Sequence, residues 1–171
     1  MENMNYSFRP QHIEVLDRGN PLKKGTYLWI FHADKIPPHI GISTENNFFS
    51  IKSRGRDFGI AVEYVFALID RKNVSSLFVQ LNDVDLKTVE SVFEKYSSIP
   101  EGSSCLEPIN KIIDPNNNFS SVGELLNSLT EKNELLKVFG IHLPDDYEGI
   151  PAYGRREIEE RIKFLRNVKG R

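Results

Sequence analysis

The chain has 171 residues and a single cysteine, Cys105. One thiol excludes an internal disulfide, and no C-x-x-C or H-E-x-x-H pair is present to hold zinc, so neither a structural metal nor a cofactor is expected. An excess of one charge is also missing. With 22 Lys and Arg against 24 Asp and Glu, the net charge of −2 provides no general attraction to nucleic acid or anionic lipid. No stretch approaches the roughly 18 apolar residues that a membrane span needs. An integral membrane segment is therefore not expected. The opening residues, MENMNYSFRP, lack the basic start and apolar core of a secretory signal, so a cytoplasmic location is the expectation. Repeats and low-complexity tracts are absent apart from the short run Asn116-Asn117-Asn118. What is present is an ordinary globular composition, 39% hydrophobic and 27% charged, long enough for one domain with a sizeable core.

Polar residues and the breaks at Pro10, Gly19 and Pro21 mark residues 1–21 as an N-terminal arm, with a short apolar alternation at Ile13, Val15 and Leu16. From Gly25 the character changes. GTYLWIF (25–31), HIGIS (39–43) and NFFSIK (47–52) are short, aromatic or β-branched runs separated by turn signals, and they read as three adjacent strands. SRGRDFG (53–59) reads as a basic loop, and IAVEYVFALID (60–70) fits helix and strand equally well. SSLFVQLN (75–82) is a further strand. Val89, Val92, Phe93 and Tyr96 then recur at helical spacing behind a cap from Asp83 or Asp85.

Beyond the break DPNNN (114–118), helical patterns dominate. Ser121 and Glu124 have capping-box spacing before Leu125, Leu126 and Leu129. A short helix is expected over about 131–139, ending at Gly140. A last amphipathic helix from about 155 places Ile158, Ile162, Leu165 and Val168 on one side. The fold class read from these patterns is α+β, with residues 114–171 as a helical C-terminal extension packed on the core.

Two residues carry candidate chemistry. Alternation within HIGIS puts His39, Gly41 and Ser43 on one face and the isoleucines on the other. Ser104 and Glu107 have capping-box spacing, which would place Cys105 in a first helical turn, where free N–H groups favour a thiolate; Pro108 then falls awkwardly close to the start. A thiol and an imidazole are the minimum for nucleophilic catalysis, since the imidazole can take the thiol proton. The ordinary alternatives are a small buried cysteine and a satisfied histidine.

The glycine-led strand, the histidine opening H-I-G-I, the following aromatic strand and the later helix-start cysteine together resemble circularly permuted papain-like proteins. These include NlpC-type peptidases, the lecithin retinol acyltransferase-like family and the PPPDE group. The resemblance covers residues 22–113, most strongly GTYLWIF-x7-HIGI, and implies a permuted papain-like antiparallel sheet packed on helices. It further implies that Cys105 is the nucleophile and His39 the general base, with helix-start N–H groups holding an oxyanion. The third polar position corresponds to Ser50, which lacks the charge of a carboxylate. The Asn-Cys pair of the acyltransferase members is replaced by Ser104-Cys105. His32 is a rival base, and the HIGI context favours His39. The implied function is that of a thiol hydrolase or acyltransferase acting on a peptide, isopeptide or lipid ester. The opposing expectations are a papain-like binding module without catalysis and an unrelated α+β protein.

Overall fold

A computed structural model describes residues 4–19, 22 and 24–168 of the chain. The first three residues of the N-terminal arm and its boundary at 20–21 lie outside the described residues. Among the described residues the chain forms nine strands and five helices. They are β1 (Tyr6–Phe8), β2 (Glu14–Val15), β3 (Thr26–Phe31), β4 (His39–Thr44), β5 (Asn47–Ile51), β6 (Arg56–Ala61), α1 (Val62–Arg71) and β7 (Ser76–Leu81). They continue with α2 (Leu86–Phe93), α3 (Glu107–Ile113), α4 (Val122–Glu131), β8 (Leu135–Ile141), β9 (Ile150–Pro151) and α5 (Arg155–Asn167).

Seven strands form one sheet in the order β2-β8-β7-β3-β4-β5-β6. Every pairing is antiparallel except the parallel contact of β2 with β8. The class is mixed α+β. β3 is buried at all six positions, which requires cover on both faces, and period-2 alternation divides its side chains between them. Leu28 and Ile30 join Ile40, Ile42, Phe49 and Ile51 in a core with Val89 and Phe93 of α2, Ile109 of α3 and the leucines of α4. Tyr27, Trp29 and Phe31 join Phe48 and Phe78 on the opposite face, under Val62, Phe66 and Ile69 of α1. Trp29 packs within 5.0 Å of both Phe48 and Phe78, centroid to centroid, and its indole N–H donates to Ser43 Oγ at 2.8 Å. The ambiguous segment 60–70 is thus the helix α1. Its apolar stripe is needed to roof the aromatic face.

Three expectations require correction. Residues 131–139 are not helical: α4 ends with Asn133 in a left-handed conformation (φ 56°), and β8 follows and pairs with β7 along its length. A helix there would leave the edge of β7 unpaired, so sheet completion overrides the local leucine pattern. Gly140 does not stop a helix. A Cβ on it would lie 2.4 Å from Leu143 Cδ1 and 3.0 Å from Ile13 Cγ2, so glycine lets these neighbours approach β8. Residues 114–171 are consequently not a helical extension, since they contribute a strand to the main sheet and β9 to a second one with β1. The arm is likewise tied down through β1 and β2.

The third correction concerns the cysteine. α3 begins at Glu107 with Leu106 at the N-cap, and Pro108 occupies an early helical position where a missing N–H costs nothing. Cys105 lies in the turn before the helix. Ser104 Oγ accepts from Leu106 N–H at 3.2 Å, a local turn in place of the expected capping box.

Candidate active site

His39 is the first residue of β4, paired with Phe31 of β3, and its ring stacks on the Phe31 ring at 5.5 Å and 22°. Its neighbour on the same face is Gly41. A Cβ there would meet Phe48 Cζ at 2.4 Å, so the glycine seats the Phe48 ring and does not open a cleft. Beyond Ile42↔Phe49 no further β4–β5 register pairs follow. Near this end of the sheet, His39 Nε2 lies 3.3 Å from Ser50 Oγ of β5. Ser50 is fully buried and its hydroxyl donates to Asp57 Oδ2 of β6 at 3.0 Å. Lys52 Nζ in turn donates to Asp57 Oδ1 at 3.0 Å.

The cysteine arrives from the other direction. The segment after α2 is anchored to the strand ends by Ile99 N–H donating to Lys52 C=O at 2.8 Å. Arg56 Nη1 adds donations to the carbonyls of Phe93 and Tyr96 at 2.9 and 3.0 Å. These ties set Cys105 beside the start of β4, where the backbone N–H groups of Ile40 and of Cys105 itself act to lower the thiol. Cys105 and His39 line the same cavity, about 100 Å³ in volume. Its remaining walls are mainly apolar: Pro37, Pro38 and Ile40 from the start of β4, Ile99 and Leu106 beside the cysteine, and Tyr153, Ile158 and Ile162 from the α5 region. His39 also borders a wider groove on the other face with Phe31, Phe48, Lys52 and Asp57. Its place at the sheet's end gives it access to both.

The electrostatics differ from the expected preformed thiolate. Burial pushes the Cys105 thiol up to about 11, against the smaller opposing effect of the two backbone N–H groups. Burial also pushes His39 down to about 4, with Lys52 adding to the depression and Asp57 opposing it. At neutral pH the site therefore holds a neutral thiol and a neutral imidazole. α3 has seven residues and begins after the cysteine, so the helix start is not what faces the sulfur. The backbone groups that act on the thiol are the N–H groups of Ile40 and Cys105.

The structure joins His39 to Ser50 by a hydrogen bond and sets Cys105 on the same cavity as His39. The thiol, however, packs with the core of Leu28 and Ile40 while the His39 ring stacks on Phe31 on the opposite face of the sheet, and among the described residues no hydrogen bond links thiol and imidazole. Asp57 and the α5 wall are parts of this region that sequence reasoning missed. Asp57 was legible in principle. Gly55 has φ 96° and Lys52 N–H donates to Gly55 C=O at 2.9 Å, so SRGR is a hairpin turn. Its register sets Ser50 opposite Asp57. The rival His32 also borders the Cys105 cavity but is exposed, and Ser50 bonds to His39. Among the described residues, no group of His, Cys, Asp and Glu is arranged to hold a metal, and no helix is long and apolar enough to cross a membrane. Comparison with protein-family models, with curated proteins and with solved structures gives no match, so the assignment of this site rests on the chain's own residues.

Proposed function

We propose that the chain is a cysteine-dependent hydrolase or acyltransferase of the permuted papain-like type, acting on an amide or ester through an acyl-Cys105 intermediate with His39 as base. The observation that supports this reading is that Cys105 and His39, far apart in sequence, line one cavity at the end of the sheet, with the imidazole bonded to Ser50. Because both groups rest neutral, proton transfer accompanies attack: the sulfur bonds to the carbonyl carbon as its proton passes to His39. His39 returns that proton to the departing amine or alcohol. In this reading the Ile40 and Cys105 N–H groups, which lower the thiol, stabilise negative charge near the sulfur. Water or an amine then releases the acyl group. The substrate classes in view are a peptide, an isopeptide or a lipid ester, and the expected setting is cytoplasmic.

A second reading is favoured by the thiol at about 11 and by the cover that α5 places over it: a papain-like module that binds without turnover. Intact-mass profiling with ester, peptide and ubiquitin-like electrophilic probes separates the two. Labelling of wild type that is lost in both Cys105→Ala and His39→Ala supports the enzyme and identifies its substrate class. A wild type labelled no more than Cys105→Ala, while iodoacetamide still modifies the folded thiol, replaces the enzyme with the binding module.

A further inference from the structure

Ser50 is a fully buried serine within an aromatic layer where alanine would pack equally well, and a buried hydroxyl is costly unless it is bonded. Its partners are His39 on one side and Asp57 on the other. A serine hydroxyl has one proton, and a carboxylate can only accept. That proton goes to Asp57 Oδ2 at 3.0 Å, while the other carboxylate oxygen takes the Lys52 ammonium at 3.0 Å. Ser50 Oγ therefore has only lone pairs to present to His39 Nε2, 3.3 Å away. The imidazole must donate from Nε2.

We propose that Asp57 is a positioning residue for His39: acting through Ser50, it selects the Nε2–H tautomer and leaves Nδ1 as the ring's proton acceptor, the atom that would take the thiol proton in the proposed reaction. A neutral imidazole carries one proton, and the low value for His39, about 4, agrees with that state. The carboxylate that appeared to be missing at the Ser50 position is thus supplied from the next strand, one hydroxyl removed. Lys52 balances its charge, so Asp57 acts mainly by setting proton direction. The role of Nδ1 as base rests on the proposed acyl-transfer function, whereas the tautomer does not.

The test is a long-range proton–nitrogen NMR correlation on the full chain labelled with ¹⁵N-histidine, with His39 assigned by its loss in His39→Gln. Wild type is expected to show the Nε2–H pattern. In Asp57→Asn the new side-chain amide can donate to Ser50, which turns the serine proton toward His39 and moves the imidazole to the Nδ1–H form. In Ser50→Ala the preference collapses to a mixture. Where a probe labels the thiol, Asp57→Asn should also slow labelling about tenfold or more with little change in the concentration giving half-maximal rate. An Nδ1–H pattern in wild type overturns the proposal even if no variant folds, and so does an Nε2–H pattern unmoved in both variants. A wild type that no probe labels, with the tautomers as expected, removes the acyl-transfer reading and leaves the Asp57 relay standing.

Discussion

On one side of the Cys105 cavity, the ends of β4, β5 and β6 meet beneath a double-covered sheet, and His39, Ser50 and Asp57 are linked there in a hydrogen-bonded row. On the other side stands α5, thirteen residues long, of which only Ile158 is buried while Phe164 and Leu165 remain exposed. Arginines hold it: Arg166 donates to Ile99 C=O at 3.0 Å, Arg155 bonds Gly102 C=O, and Arg54 reaches back to Arg166 C=O. Sheet side chains contribute burial of about 1.5–3 kcal/mol each, and α5 has one such contribution. The difference teaches that the groups proposed for chemistry are fixed by the core, while the wall that closes over them is held mainly at the surface. Local opening of α5 therefore costs far less than unfolding.

The comparison is broken most severely on the strand side. Trp29→Ala removes the ring against which Phe48 and Phe78 pack, and urea denaturation should show a loss of about 3–5 kcal/mol. A loss under about 1 kcal/mol would mean that the aromatic face does not hold the site. On the helix side, Ile158→Asp should alter global stability much less but speed iodoacetamide modification of Cys105 about tenfold or more, because about 1.4 kcal/mol less resistance to opening is a factor of ten. An unchanged rate would show that α5 does not control access.

The pH profile sharpens the same contrast. Wild-type labelling should continue to climb toward about pH 11, the value set by burial of the thiol. In Ile158→Asp, relief of that burial should move the midpoint down toward the ordinary thiol range. A midpoint that stays put would assign the shift to the strands instead. The smallest effect is expected for Lys52→Met. This removes a cation that depresses His39, so an NMR titration should place His39 above about 4, with stability changed by less than about 1 kcal/mol, as for exposed ion pairs. The sign carries over to stability. Unfolded His39 takes up a proton near 6.5 and the folded one only near 4, so wild type should lose stability as pH falls through that window. Lys52→Met should lose less.

Legibility in the sequence followed the range of the interactions. The strands at 26–31, 39–44 and 47–51 and the helix after Asp85 are written in local alternation, turn residues and caps. β8 was hidden because Leu135 and Leu136 continue a helical stripe, and its strand state depends on β7, more than fifty residues earlier. The rise of the thiol to about 11 was also invisible, since it comes from burial by elements remote in sequence. Asp57 lay between these extremes. One glycine turn would have set it opposite Ser50, had the basic composition of SRGR not suggested a loop.

The position of β8 has a consequence for how the protein is made. His39, Ser50, Asp57 and Cys105 all leave the ribosome before Leu135, yet β7 has an open edge until β8 docks against it, and β2 has its seat only on β8. A nascent chain holding every proposed site residue thus still lacks the strand that joins its beginning to its sheet. The proposed nucleophile is synthesised well before the architecture that shields it, and the sheet closes late, by a long-range step that ordinarily slows folding.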